Sequence, residues 1–383
     1  MTIVVGGYIV GYPLGGMTWH HLNYLLGLHE LGHEVWFLED SGEYSLPYNP
    51  QTQKCEPDST FGRHYLEHTF AQYGLPLRYC YYSQFEDRHY GMTREALDEL
   101  LARAELLMCV SGVTPLRPSR PRSKRTLVID TDPVYTQLRM SHDAGFAEYW
   151  RSFDHVATFG RLIGTEHSPL PTHGLQWIAT NQPVSLPHWP LLPNPGGPFT
   201  TIGKWEHVTS RTVEFAGRRL ASSKAVEWVR FVDLPRRTRA ALTIAMESMH
   251  GPVREQFESS GWRLGDAEAA TRTCEAFREF VGESAGEITV AKQIYAAVPS
   301  GWFSDRSACY LATGRPVVTQ SSGFEHWLPT GEGLFAFTTV DEAAGALNRI
   351  AEDPQRHSRA ARVIAERFFD ARKVLGELLE TVM

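Results

Sequence analysis

Short apolar runs alternate with longer stretches of helical periodicity along the chain. Residues 2–5 form a run suited to a buried strand, followed by Gly6-Gly7-Tyr8 and a turn-rich loop over 11–16. Leu22, Leu25, Leu26 and Leu31 then recur near helical spacing, with Thr18 as a cap and Gly32 as a stop. Residues 34–38 read as a second strand ending at Glu39-Asp40, which makes a βαβ opening with a glycine loop at its first turn. Further strands are predicted at 106–110, 126–129 and 155–159, with helices at 61–73 and 93–104. Apart from its one helix, the stretch 49–88 lacks clean periodicity and is rich in Tyr, Pro, His and Asp. Its rings suit stacking on a sugar or a planar acceptor, although a packed irregular excursion is the plainer reading.

The pattern breaks at 181–198, where Pro183, Pro187, Pro190, Pro193, Pro195 and Pro198 surround Gly196-Gly197. Repeated proline removes backbone donors and stiffens the chain, so this segment reads as an interdomain linker. The strand–helix alternation then restarts. Strands are predicted at 199–202, 241–246, 262–264, 288–291, 317–318 and 333–337, with helices at 222–231, 252–259, 270–281 and 306–312. Ala343, Leu347, Ile350 and Ala351, then Ala361, Ile364 and Phe368, mark helical core faces near the end.

Composition narrows the class. A chain of 383 residues is long enough for two ordinary domains, and 42% apolar with 21% charged residues is a globular balance. The formal charge of −7 argues against a nucleic-acid partner. The basic cluster at 117–125 is local and reads first as a solvated loop, second as an anion contact. Cys55, Cys80, Cys109, Cys274 and Cys309 are scattered and form no CxxC, so neither a disulfide framework nor a zinc site is suggested. The chain opens on a strand without a cleavable leader, and no apolar run reaches membrane-span length. A cytoplasmic protein in a reducing compartment is the expectation, and a homodimer is compatible with it.

Chemistry concentrates in GEITVAKQIYAAVPSGWFSDRSACYLATGRPVVTQSSGFE, residues 286–325. It reads strand, loop, helix, strand, loop. Ser304 or Asp305 is placed to cap the helix, Gly314 to end it, and Ser321-Ser322-Gly323 breaks the second strand. Two helix N-termini therefore lie beyond the carboxyl ends of neighbouring strands, where open α/β sheets bind ligands and where anions are favoured. Arg306, in the first turn, adds a bidentate fork for phosphate. In the first half, Asp130-Thr131-Asp132-Pro133 ends a strand. Asp132 there suits a general base or a hydroxyl ligand, and equally a helix cap. Lys204 and Lys292 each follow a predicted strand on the ligand side.

The piece SDRSACYLATGRPVV resembles the donor-binding segment of GT-B glycosyltransferases, in which a helix of the form R-x-x-E-A-x-A-x-G-x-P-V-V holds the diphosphate of a nucleotide sugar. With WFSDRSACYLATGRPVV and LPTGEGLFAF, most of the chain resembles a group of poorly characterised bacterial GT-B proteins. The paired glutamates of retaining GT-B enzymes are replaced by Gly301 and Cys309, so retention of configuration is not implied. The opening GGMTWHHLNYLLGLHELGHEV is similar to the GT-B form, in which a glycine pair approaches the donor. Carried over, the pair is Gly15 and Gly16, and the histidine at the helix start is His20. His21 points about 100° away, so only one of the two faces a cleft.

The resemblance implies an α/β GT-B fold of two facing Rossmann-like domains. It places an acceptor domain at 1–183, a linker at 184–198, a nucleotide-sugar domain at 199–370 and a helix at 371–383 that returns to the first domain. The implied activity is metal-independent transfer of a sugar from a UDP-, dTDP- or GDP-linked donor to a hydroxyl or amine of a small-molecule acceptor, with no further cofactor. The implied catalytic residues are His20 and Asp132. The donor would meet Gly15, Gly16, Lys204, Lys292, Ser304, Asp305, Arg306, Ser322, Gly323 and Glu325, with Arg306 foremost. Three other readings stay open: a GT-B-like sugar-nucleotide epimerase, a non-catalytic sugar-nucleotide binder, and an NAD-dependent oxidoreductase. The last would use Glu39 or Asp40 on ribose, although GxGxxG is missing.

Overall fold

The apolar runs of the first half become strands because both faces of a parallel sheet are covered. The strands of the two large sheets are numbered β1 to β14 along the chain. The first sheet contains β1 (Thr2–Gly6), β2 (Glu34–Asp40), β3 (Tyr79–Ser83), β4 (Arg88–Tyr90), β5 (Leu106–Val110), β6 (Thr126–Asp130), β7 (His155–Thr158) and β8 (Trp177–Ala179). Their order is β8-β7-β6-β5-β1-β2-β3-β4, parallel except for β4. All five residues of β1, of β5 and of β6 are buried.

The second sheet contains β9 (Phe199–Lys204), β10 (Leu242–Glu247), β11 (Arg263–Leu264), β12 (Gly286–Thr289), β13 (Val317–Gln320) and β14 (Leu334–Phe337). It is wholly parallel, in the order β11-β10-β9-β12-β13-β14. Each sheet reverses its winding next to its first strand, between β1 and β5 and between β9 and β12. Such switch points leave a crevice at the carboxyl ends of the strands. The computed structural model describes residues 1–40, 42, 46–193, 196–206 and 212–383. Pro195 of the proline-rich segment lies outside the described residues.

Four helices position the crevice: α1 (Gly15–Glu30), α2 (Cys274–Gly282), α3 (Asp305–Ala312) and α4 (Ala371–Val382). Helix α1 begins four residues earlier than the sequence suggests, and Thr18 is buried inside it rather than capping it. The two lobes touch directly: the Trp19 indole donates to the Cys274 carbonyl at 2.9 Å, and the Leu162 amide to the Ser300 carbonyl at 2.9 Å. Helix α4 packs on α1, burying Leu375, Leu378, Leu379 and Val382. The chain passes between the lobes at Val184 and again at Phe369–Ala371, and the two crossings are hydrogen-bonded to each other at 2.7 and 2.9 Å.

One feature is absent from the sequence reading. Thr212–Phe215 and Arg218–Ala221 form an antiparallel hairpin between β9 and β10. Its turn, Ala216-Gly217, has φ of 49° and 73°, the left-handed pair that a two-residue hairpin turn needs. Leu220 of this hairpin packs with Ile294, Tyr295 and Val298 of its own lobe and with Val134 and Leu138 of the other. The hairpin therefore bridges one end of the crevice. Among the described residues no helix is long and apolar enough to cross a membrane.

Candidate active site

The crevice is built from loops that leave β1, β5 and β6 on one side and β9, β12 and β13 on the other. His20 stands in the second turn of α1, with its side chain 10% exposed. Its Nδ1 is 3.0 Å from Oδ2 of Asp305, in the first turn of α3 on the opposite lobe. Its Nε2 is 3.1 Å from the Ser111 hydroxyl, just past β5. Ser111 has a φ of 63°, a strained value for a residue with a side chain, and Thr131 donates to its hydroxyl at 2.8 Å. Desolvation would raise the Asp305 carboxyl, but the His20 hydrogen bond and charge, with the Arg306 amide, outweigh it and hold it at about 2. The Asp305 side chain remains 42% exposed, so the pair borders open space. His21 is fully buried, with its ring edge to face against that of His20, and accepts from the Tyr8 amide.

Asp132 does not cap its helix; it spans the crevice to Lys292, with its carboxylate oxygens 2.9 and 3.2 Å from Nζ. Lys204, at the end of β9, pairs with Glu247 at 3.1 Å, at the end of β10. Across from this pair lie the rings of Tyr12 and Tyr48, stacked at 5.2 Å. Glu325 is exposed on the loop after β13, beside Ser321.

The structure corrects several expected donor contacts. The Arg306 guanidinium turns under its own helix into the second lobe. It is paired with Glu287 of β12 at 2.5 Å and donates to the Ile202 carbonyl at 2.8 Å and to the Thr289 hydroxyl at 2.9 Å. Its side chain is 13% exposed and that of Glu287 0%. A buried carboxylate must be matched, and Arg306 is what matches it. Its fork is therefore not free for phosphate. Gly15 and Gly16 do not border open space: a Cβ on Gly15 would lie 2.1 Å from the Thr273 carbonyl oxygen, and one on Gly16 would lie 3.0 Å from the Phe277 ring. These glycines let α1 meet the start of α2 on the other lobe. Ser322 is buried and donates to the Trp302 carbonyl, and a Cβ on Gly323 would meet Leu162 at 2.9 Å. That loop serves the lobe contact. Ser304 is buried at the N-cap of α3, with no side-chain capping bond.

The sequence reading missed Lys224. It stands at the N-cap of Ala225–Arg230, partly buried; its carbonyl accepts from the Glu227 and Trp228 amides, and its ammonium has no hydrogen bond or ion pair to any described residue. Enclosure lowers its pKa well below the usual lysine range, Arg306 and Lys292 push the same way, and Glu287 and Asp305 oppose them. A cation at a helix N-terminus, where the dipole disfavours it, was the available signal. The dinucleotide alternative meets an obstacle at Glu39. Its carboxylate accepts the amides of Ile9 and Val10 at 2.7 Å and of Gly11 at 2.6 Å, so it is spent on ordering the β1 loop.

Two facing α/β lobes, a crevice at both switch points and a C-terminal helix returning to the first lobe define the GT-B fold. Solved structures of this fold match over the whole chain. AviGT4, a glycosyltransferase involved in avilamycin A biosynthesis, is 12% identical, covered over 100% of this chain and 97% of its own, with a TM-score of 0.58. HepE of Anabaena in complex with UDP-glucose is 12% identical, with coverage of 100% and 99% and a TM-score of 0.57. Sucrose-phosphate synthase from Thermosynechococcus elongatus is 12% identical, with coverage of 100% and 98% and a TM-score of 0.56. No family model and no curated protein sequence matches the chain.

Proposed function

We propose that the protein is a glycosyltransferase that moves a sugar from a nucleoside-diphosphate donor to a hydroxyl of a small-molecule acceptor. The observation that carries this reading is Lys224: a partly buried ammonium that forms no ion pair with a described residue, within charge range of Arg306, Lys292, Glu287 and Asp305. Holding an unmatched cation there costs free energy, which a bound anion would recover. The donor diphosphate is an anion of the right class for a GT-B crevice, and a UDP-glucose complex of HepE shares this fold. Lys292 joins Lys224 on the diphosphate once it leaves Asp132, and exposed Glu325 is available to ribose or sugar hydroxyls.

The reaction follows from these places. The acceptor oxygen attacks the anomeric carbon while its proton passes to His20 Nε2. The bond from that carbon to the diphosphate oxygen breaks, and the two lysines stabilise the charge left on the diphosphate. With these cations on the leaving group, the proposed transfer needs no metal. Asp132, freed from Lys292, is the second candidate base.

Calorimetry with UDP, dTDP and GDP and their glucose conjugates tests the reading. At least one should bind, and Lys224→Ala should weaken it tenfold or more, the loss of one charge-assisted contact of about 1.5–3 kcal/mol. Binding of none of them by the wild-type protein would end this proposal.

A further inference from the structure

We infer that Asp305 is the positioning residue for His20, and that it orients the ring only when the two lobes are closed. The inference rests on the proposed role of His20 and adds to it a partner from the opposite lobe. The ionised Asp305 carboxylate only accepts hydrogen bonds. At 3.0 Å from Nδ1 it therefore requires the proton of a neutral ring to sit on Nδ1, which makes Nε2 the acceptor. Nε2 faces the Ser111 hydroxyl at 3.1 Å. Thr131 already donates to the Ser111 oxygen, so the serine's own proton is directed at Nε2. The ring is thus held at both nitrogens, one from each lobe, with the basic nitrogen toward a hydroxyl.

Among the described residues, Asp305 is the carboxylate that meets the ring. On its own helix His20 faces His21 at 4.9 Å and Tyr24 at 6.3 Å between ring centroids, and Phe159 lies at 6.5 Å. Behind Asp305 stand the Arg306 amide and, within charge range, Lys224 and Cys309. When His20 takes up the acceptor proton, the imidazolium forms next to a carboxylate already ionised at neutral pH. Asp305 is also the first residue of α3, so a shift of that helix relative to α1 breaks the contact. The base is therefore oriented in the closed protein and released in the open one.

Nitrogen NMR of the full-length protein labelled at histidine tests this without a substrate. His20 should carry its proton on Nδ1 in the wild type and shift toward the Nε2 form, the one imidazole prefers in water, in Asp305→Ala. Where wild-type turnover is measurable, Asp305→Ala should lower kcat by about 100-fold, with donor KM within about threefold. Asp305→Asn preserves the side-chain volume against misfolding and should also lose kcat, because a neutral amide does not stabilise the imidazolium. Wild-type His20 protonated on Nε2, or an unchanged kcat in both variants, would overturn the inference. If no donor is turned over at all, the functional proposal fails by itself and the tautomer still decides the role of Asp305.

Discussion

Two cations that look alike in the sequence do different work. Arg306 sits at a helix start where phosphate binding is expected, yet its guanidinium matches buried Glu287. Arg306→Ala should therefore act on stability rather than on donor contact. Leaving that carboxylate unpaired costs about 3–5 kcal/mol, which a denaturant midpoint would register. Lys224→Ala, which removes a cation that is costly to hold, should keep or raise the midpoint. Glu39 offers a separate readout. Burial pushes its carboxyl up to about 7 from an ordinary 4.5, against the pull of three amides. The folded protein then holds a proton that the unfolded chain releases, so stability falls as pH rises from 4.5 to 7. Calorimetric melting across that window should show the fall in the wild type and a flatter line in Glu39→Gln. A parallel pair of curves would exclude Glu39 as the titrating group.

At the level of elements, α1 and α2 meet so closely that there is no room for a side chain at residue 15. Gly15→Ala would place its Cβ against the Thr273 carbonyl and force the lobes apart. Cooperative melting should lose its single transition, or its midpoint should fall by several degrees; an unaltered melting curve would contradict the contact. The strands themselves were legible. Val4 and Val5, Leu107 and Met108, and Val317 and Val318 are apolar at successive positions because neighbours cover both faces. The segment 286–325 was legible in outline, but its strand spans Gly286–Thr289 instead of 288–291, since pairing to β9 begins at Gly286. What stayed hidden was direction. Nothing local in GEITV says that Glu287 lies under α3, so nothing local says that Arg306 turns inward. The hairpin after β9 had a readable signal, Thr-Val-Glu-Phe alternation followed by Ala-Gly, but it sat among polar residues resembling a loop.

Across the whole molecule, the candidate site belongs to neither lobe alone. His20, Ser111 and Asp132 come from the first half of the chain, and Asp305, Lys292 and Lys224 from the second. Sequence spacing cannot reveal such a pairing, because each partner lies well over a hundred residues from its counterpart. Helix α4 supports the arrangement from outside. Deleting 371–383 would bare the α1 surface that Leu375, Leu378 and Leu379 cover. The shortened chain should bind a hydrophobic dye and melt at lower temperature than the full chain; equal melting would show the helix to be dispensable.

The paired crossings at Val184 and Phe369–Ala371 have a mechanical consequence. Two covalent connections clamped side by side act as a door hinge. They resist sliding of one half past the other but permit swinging about a single line. Substrate entry and product exit would then follow one angular coordinate, and each swing would part His20 from Asp305 and Asp132 from Lys292 together.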